Sequence, residues 1–502
     1  MNRTVLFTNV SGWTVAILAA VGVALFPMIS DDLNSIHAIR DTFIHGAPID
    51  WNAYRKDVVD IFVTNHFRLP NLIMPLMALL PKWIPAMISA VALWYILFYG
   101  AKLGRFENRP LMSAAYMSGM IFAFPWIDQL YQVCFQMPYL WGAAAALAVV
   151  SWLMGVSHRK LPLFTTLSFL LGFWQEAYAG AVLGGCICLT MFYRDYRCKY
   201  MLCIIIALVG GITVAALPLI VCGHWAKWAF FDGRIWLILP FLFPSVAYLV
   251  FACAVAVRNK SLAIEPLNLF LAEIVVASLI MTVYFKTGAR VNGFGTVCGL
   301  IGIFMLWNRL MEMKAAGSSG TRGILAACCI VALVAAHLVA VDVMCAKLAR
   351  QTAFVVRHCR KEWDGAVFAE MTLREDVPWY LLQKPYYDWF AHGSTMGVFN
   401  RIYDAENGRL RAVPAQLREF SVENSRTIPG TAGLMLFGKY LVGRGYVPEL
   451  SMDFGYGMRH RPLYRVEFSV AGDTARYQWV HPDNAWPDFM LHPEPLRADT
   501  IE

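Results

Sequence analysis

Two adjacent carboxylates, Asp31 and Asp32, follow directly after the first long apolar run of the chain. Charged side chains at the end of a membrane-spanning segment are costly to place there, which favours a function for them. Two carboxylates this close can split their pKa values, so that one stays ionised as a general base for a hydroxyl group. They are also suitable ligands for Mg²⁺ or Mn²⁺, with Asp32 as the predicted metal ligand. The alternative is an ordinary polar end of a membrane helix.

Three further groups of side chains suit the same chemistry. Glu176 is a third candidate catalytic carboxylate. Cations would hold a phosphate or pyrophosphate leaving group, since arginine offers two parallel donors and lysine a point charge. The predicted donor-phosphate-binding residues are Arg68, Lys286 and Arg290, and the predicted substrate-binding residues are His66, Gln136, Tyr139 and Trp174.

Several of these residues also have a plainer interpretation. Lys286 and Arg290 are also typical of basic residues whose side chains anchor helices at the membrane interface. His66 is typical of an ordinary loop, and Trp174 of the aromatic belt at a membrane surface. Residue types alone therefore do not decide the roles, and the placement of these residues in the fold matters.

The composition indicates that the chain is a polytopic membrane protein. Of its 502 residues, 58% are hydrophobic and 15% are charged, whereas soluble domains carry roughly 25% charged residues. The net charge of +8 comes from small groups of Lys and Arg between apolar runs, a pattern that excludes a nucleic-acid-binding surface. Apolar runs predict about eleven spans near residues 10–29, 82–101, 111–126, 139–156, 161–174, 178–193, 200–221, 235–257, 267–285, 295–309 and 323–342.

The loops between these spans set the orientation. Alternate loops are basic and should be cytoplasmic, which places Asp31, Asp32 and Glu176 on the opposite, extracytoplasmic side. Residues 161–192 are too long for one span and have basic segments at both ends, so they predict a tight hairpin with Glu176 at its outer tip. Leu69–Leu80, which is bounded by Pro70 and Pro81 and follows the long first outer loop (residues 30–70), predicts an interfacial or half-embedded helix.

The chain changes character near residue 345. Residues 1–344 predict the membrane domain and residues 345–502 a small extracytoplasmic α+β domain. Its predicted strands are 366–371, 463–470 and 474–480, with Gly472 and Asp473 as a hairpin turn between the last two. Cys345 and Cys359 lie on the exterior in this arrangement, and a disulfide between them is open.

This arrangement resembles the GT-C superfamily of integral-membrane glycosyltransferases. The resemblance rests on the acidic pair Asp31-Asp32 after the first span, the long outer loop with its interfacial helix, and about eleven spans. Residues 136–142 (Gln-Met-Pro-Tyr-Leu-Trp-Gly) and 172–176 (Gly-Phe-Trp-Gln-Glu) are also similar to motifs of bacterial GT-C-like proteins of unknown function. The resemblance covers residues 1–420 as architecture. It assigns only the acidic pair a role, as acceptor-activating base or metal ligand.

The resemblance implies an enzyme that moves a hexosyl or pentosyl group from a polyprenyl-phosphate-linked donor to a glycan or lipid acceptor. It implies a bacterial inner membrane, with the active site and the C-terminal domain on the periplasmic side. Mg²⁺ or Mn²⁺ is the expected cofactor, and membrane lipids and the two substrates are the expected partners. The chain has no sequon-binding motif of the oligosaccharyltransferase kind, which disfavours a protein acceptor.

Two other classes of protein remain open. A transporter or flippase for a lipid-linked or anionic substrate would use intramembrane carboxylates such as Glu273 and short half-helices such as 161–174. The sequence has no inverted repeat to support it, and the favoured interpretation of Glu273 is a pairing inside the helix bundle. A membrane acyltransferase is the third class, but no histidine lies with polar partners inside a span, and His337 is isolated.

Overall fold

The structure is a computed structural model that describes residues 3–26, 48–64, 68–123, 133–155, 161–222, 239–284, 292–313, 321–360, 465–471 and 474–480. Nearly all of these residues are helical. In chain order the helices are α1 (Arg3–Leu25), α2 (Trp51–Thr64), α3 (Leu69–Leu79), α4 (Trp83–Leu103), α5 (Pro110–Ala123), α6 (Val133–Gly155), α7 (Leu161–Trp174), α8 (Glu176–Phe192), α9 (Lys199–Cys222), α10 (Leu239–Arg258), α11 (Lys260–Ala263), α12 (Pro266–Tyr284), α13 (Gly293–Met313) and α14 (Thr321–Arg360).

The helices agree with the predicted spans in position, and some of them also agree in length. Every predicted span overlaps one of these helices, and α3 covers the predicted interfacial helix. The predicted spans at α5, α7, α8, α10 and α12 overlap shorter apolar segments, so the count of eleven spans stays a prediction. Six helices in the described ranges are long and apolar enough to cross a membrane: Arg3–Leu25, Trp83–Leu103, Val133–Gly155, Lys199–Leu217, Gly293–Met313 and Gly323–Val343.

The predicted hairpin over residues 161–192 is confirmed. Gln175 alone separates α7 from α8, and its backbone is extended, with φ −150° and ψ 97°. Phe164 near the start of α7 and Tyr196 just after α8 line the same cavity, so the chain reverses direction at Gln175. We call the end of the bundle at Gln175 the tip end. The opposite end, where Lys102 and Arg105 line that cavity, is the basic end.

Small residues allow α7 and α9 to pack in direct backbone contact. A Cβ atom on Gly172 would lie 2.7 Å from both the backbone nitrogen of Ile212 and the carbonyl oxygen of Leu208. A Cβ atom on Gly211 would in turn overlap the carbonyl oxygen of Phe169. Because lipid is as apolar as a leucine side chain, close backbone packing of this kind is a main source of association between membrane helices.

The last long helix, α14, continues without a break from Thr321 to Arg360, well past the predicted span 323–342. Cys345 and Cys359 therefore lie on one helix, about 21 Å apart along its axis at 1.5 Å per residue. A disulfide needs its two Cα atoms within about 7 Å of each other. The two cysteines are therefore too far apart on this helix to pair with each other, and Cys345 is buried.

The chain divides into two compact units, one of Met1–Ala24 and Val58–Asp342 and another of Leu25–Asp57 and Val343–Glu502. In the second unit, strands β1 (Arg465–Ala471) and β2 (Thr474–Val480) pair antiparallel, with Ala471 opposite Thr474 and Arg465 opposite Val480. Two residues separate the strands in sequence, as the predicted hairpin requires. The predicted strand 366–371 lies outside the described residues.

Candidate functional site

The tip end of the first unit carries a paired arginine and glutamate. Arg68 Nε donates to Glu176 Oε2 at 2.7 Å, and Arg68 Nη2 donates to Glu176 Oε1. The two side chains are only 19% and 24% exposed. This is a bidentate arrangement, the geometry that gives arginine–carboxylate pairs their strength and direction. Sequence reasoning gave the two residues separate roles, whereas the structure brings them together.

Local structure explains how two residues 108 positions apart meet. Arg68 precedes the first turn of α3, where Pro70 suits the start of a helix because the first N–H groups have no helical partner. Helix α3 packs on the start of α6 and on α7, which brings its first turn to the tip end. Glu176 opens α8, and a carboxylate at a helix N-terminus is favoured by the helix dipole.

The electrostatics of Arg68 are dominated by its surroundings. Burial on its own would lower the pKa of the Arg68 guanidinium, but the charge of Glu176 and its hydrogen bond outweigh burial, with a smaller contribution from Tyr139. The pKa of Arg68 is therefore raised above its ordinary value. Arg68 stays a cation at every pH at which a protein is studied. The pair uses two of its five N–H donors, which leaves three for another acceptor.

Trp174 and Tyr139 are positioned by an irregular turn in α6. Residues Gln136–Trp141 form a wide π-helical turn, a feature frequent at functional sites. Pro138 explains the turn, since proline has no N–H to donate and clashes with the carbonyl four residues earlier in a regular helix. Trp174 Nε1 donates to the carbonyl oxygen of Met137 at 2.6 Å. The ring of Tyr139 lies 6.4 Å from that of Tyr178, edge to face.

Gln136 is completely buried and belongs to a chain of hydrogen bonds. Trp141 Nε1 donates to Ser89 Oγ at 2.9 Å, and Ser89 Oγ donates to Gln136 Oε1 at 2.8 Å. The chain ties the π-helical turn to α4. Gln136 Nε2 and the Oε1 atom of buried Gln175 have no hydrogen-bond partner among the residues that the structure describes. The predicted substrate-binding role of Gln136 would therefore fall to its amide nitrogen.

A second buried polar group lies where α13 begins. Asn292 has no exposed surface, and its Nδ2 atom donates to Ser245 Oγ at 3.0 Å and to Thr296 Oγ1 at 3.2 Å. Glycine at position 295 is required here, because a Cβ would lie 2.6 Å from Asn292 Oδ1. The network fixes the start of α13, three residues after the predicted phosphate-binding Arg290 in the sequence.

Several predicted site residues lie outside the described residues. They are Asp31, Asp32, His66, Lys286 and Arg290, and their roles stay predictions.

Sequence reasoning missed two polar side chains. One is Ser89, which hydrogen-bonds Gln136. The feature of the sequence that could have identified it is its isolated hydroxyl group within an apolar run. The other is Asp342, which is 7% exposed and whose Oδ1 atom finds no hydrogen-bond partner in the described part of the chain. Its signal was a carboxylate at the last residue of the predicted span 323–342, a costly position.

The described ranges contain no set of side chains that could bind the predicted metal ion. No group of three or more His, Cys, Asp or Glu side chains that could hold a metal occurs there. Glu176, the predicted catalytic carboxylate that is described, uses both of its oxygens to accept hydrogen bonds from Arg68. A site at Asp32 stays a prediction, and no metal chemistry is assigned to Glu176.

Comparisons with known proteins give one similarity. No protein-family model matches the chain, and no curated protein matches it. Among solved structures, it is similar to the crystal structure of ArnT from Cupriavidus metallidurans bound to undecaprenyl phosphate. The sequence identity is 12%, the match covers 86% of this chain and 84% of that chain, and the TM-score is 0.40.

Proposed function

We propose that this protein is a membrane glycosyltransferase that moves a sugar from a polyprenyl-phosphate-linked donor to an extracytoplasmic glycan or lipid acceptor. The observation that carries the proposal is the partly buried Arg68–Glu176 pair at the tip end of the bundle. The basic loops favour a cytoplasmic position for the opposite end, so the pair would face the outer surface. A fixed arginine with three remaining donors suits a lipid phosphate at that surface.

The proposed reaction joins the acceptor oxygen to the anomeric carbon of the sugar. The bond from that carbon to the phosphate oxygen breaks, and its electrons leave with the polyprenyl phosphate. Asp31 or Asp32 takes the proton of the acceptor hydroxyl as general base. Arg68, Lys286 and Arg290 would stabilise the charge of the departing phosphate. Glu176 would act as a positioning residue that aims Arg68.

The lipid substrate also needs access from the bilayer. Helix α3 is short and apolar, and it follows Arg68 directly. Met74 is buried in it, whereas Leu76 is 55% exposed, so one face packs on the bundle and another is open to lipid. We infer that the prenyl chain lies along α3 while its phosphate reaches Arg68. Normal donor binding by Leu76→Gln would count against this path.

The test is sugar transfer by the purified full-length protein from labelled polyprenyl-phosphate sugars, read as labelled product and released polyprenyl phosphate. Asp31→Asn and Asp32→Asn are compared with wild type. Loss of the general base should lower the rate by about 10²- to 10⁴-fold in one of the two variants. Asp195→Asn is the matched control, because Asp195 is an exposed carboxylate in the short turn at Arg194–Tyr196. Full activity in both test variants would refute the acidic-pair mechanism.

A transporter is the second candidate, and Glu273 favours it. This carboxylate lies within α12, and its Oε1 atom would be 3.1 Å from a Cβ on Gly184 of α8. The ion-pair partner expected for it is absent from the described residues. Translocation of a fluorescent polyprenyl-phosphate sugar in proteoliposomes separates the two functions. Translocation that Glu273→Gln abolishes, together with no sugar transfer, would favour the transporter.

A further inference from the structure

A cavity of about 690 Å³ lies at the basic end, between α4, α6, α7 and the start of α12. Aromatic pairs form its walls: Trp152 stacks on Phe164 with ring centroids 4.0 Å apart, and Tyr95 stacks on Tyr99 at 4.3 Å. Flat rings stacked in this way border the space without filling it. The volume falls within the range of small-molecule sites.

The charged groups that line this cavity are mainly cationic. Lys102 and Arg105 are exposed at its wall and form no ion pair with a described carboxylate. Lys102 Nζ lies 5.5 Å from the centre of the Tyr99 ring. The carboxylate in the lining is Glu265, and Arg309 Nη2 donates to its Oε1 atom at 2.7 Å, which balances its charge. An anionic group would therefore be attracted to the cavity.

Arg105 occupies a position that normally belongs to glycine. Helix α4 ends with two hydrogen bonds, from Arg105 N to the Lys102 carbonyl and from Phe106 N to the Ala101 carbonyl, the pattern of a Schellman motif. The residue after the C-cap in this motif adopts the left-handed conformation, and Arg105 has φ 60°. Asn308 Nδ2 donates to its carbonyl oxygen at 2.9 Å and holds it there.

A strained backbone at a non-glycine residue points to a role for its side chain. Glycine would serve the helix end better, since it adopts this conformation without steric cost. Arg105 lines the cavity beside Lys102. The strain and the cavity are independent observations, and both single out the same arginine.

Part of the cavity lining is apolar and partly open. Phe164, Leu167 and Leu267 line it and are half-buried. In a membrane-spanning bundle, such side chains border the hydrocarbon of the bilayer. The cavity thus offers cations and tyrosine side chains for a headgroup next to an apolar surface for a chain.

We propose that this cavity binds the phosphate headgroup of a membrane lipid, with Lys102 and Arg105 as its ligands. The site is separate from the tip end, because Ser89 and Lys102 are about 20 Å apart along α4. It does not depend on the proposed transferase activity. The lipid would belong to the leaflet at the basic end.

The test measures lipid retention by the purified full-length protein with native mass spectrometry and with titration in nanodiscs. The probes are dioleoyl-phosphatidylglycerol, dioleoyl-phosphatidylcholine and inorganic phosphate. Wild type should retain phosphatidylglycerol in preference to phosphatidylcholine, and Lys102→Gln/Arg105→Gln should bind it about tenfold more weakly. Arg258→Gln/Lys260→Gln removes the same charge outside the cavity lining and should bind as wild type does.

Two single variants keep the test independent of folding defects. Arg105→Gly should weaken lipid binding while leaving the unfolding midpoint unchanged or higher, because it relieves the strained backbone. Ala148→Phe fills the cavity without a change of charge and should also weaken binding. Equal retention by Lys102→Gln/Arg105→Gln and its control would overturn the proposal. Displacement of the lipid by inorganic phosphate at equal concentration would overturn the lipid as the occupant.

Discussion

At the scale of single residues, the described polar groups of the tip end largely satisfy one another. Both oxygens of Glu176 accept hydrogen bonds from Arg68, and Ser89 links Trp141 to Gln136. Both carboxylate oxygens are thus already occupied by the guanidinium, and Glu176 holds Arg68 in one orientation. This favours a positioning role for Glu176 and leaves proton transfer to the predicted acidic pair.

The pair gives a prediction for stability. Arg68→Gln or Glu176→Gln alone leaves a partly buried charge without its partner, and each should lower the free energy of unfolding by about 1–3 kcal/mol. The double variant should lose less than the sum, with a coupling of about 1 kcal/mol or more. The measurement is denaturant unfolding of the detergent-solubilised protein. Arg194→Gln, at an exposed arginine, is the control, and additive losses would contradict the pairing.

At the scale of elements, the tip end depends on how α7 and α8 are held. Helix α7 carries Trp174 at its last position, and it packs on α9 through Gly172 and Gly211. Helix α8 packs on α12 and carries Glu176 at its first position. A shift of α7 against α9 would therefore move both Trp174 and the reversal at Gln175.

Gly172→Ala tests this packing. The added Cβ would lie 2.7 Å from backbone atoms of α9, which cannot move as a side chain can. The substitution should lower the free energy of unfolding by about 1–3 kcal/mol, as overpacking does, and should reduce activity. Gly180→Ala is the matched control. No atom lies within 4 Å of its new Cβ, so it should stabilise α8 by about 0.5–1 kcal/mol. Equal effects of the two substitutions would contradict close packing at Gly172.

At the scale of the whole molecule, the order of the spans fixes which groups share a membrane face. Residues 35 and 480 should both be extracytoplasmic if the chain crosses the membrane eleven times. Cys198 is exposed just before α9, beside the basic end, and should face the cytoplasm.

Cysteine labelling from each side of sealed vesicles checks this topology. Ser35→Cys and Val480→Cys, each made without the native cysteines, should react with an impermeant reagent from one face. A variant with Cys198 alone should react only from the other face and serves as the internal control. Reaction of positions 35 and 480 from opposite faces would refute the eleven-span order, because an odd number of spans would then separate the two, whereas that order places ten between them.

Much of the fold was predictable because it follows from local composition. Apolar runs gave the positions of the helices, and basic flanks gave the hairpin that reverses at Gln175. Alternating residues gave the pair of strands 465–471 and 474–480. The length of α14 was not predictable from hydropathy, because hydropathy marks only the apolar run 323–342. The helix continues through the more polar residues that follow, as far as Arg360. That continuity also removes the disulfide that the spacing of Cys345 and Cys359 left open.

The sequence by itself determined that the chain has a membrane-type composition and which polar residues fall between its apolar runs, and it predicts the direction in which the helices alternate. Hydropathy and charge report the cost of burying each segment, so these features are local. Only the tertiary structure decided that Arg68 binds Glu176, that Ser89 holds Gln136, and that Arg105 lines a cavity in a strained conformation. Such contacts join residues tens to more than a hundred positions apart or depend on one backbone angle. The packing of the helices determines these contacts and this backbone angle, and the residue types alone do not.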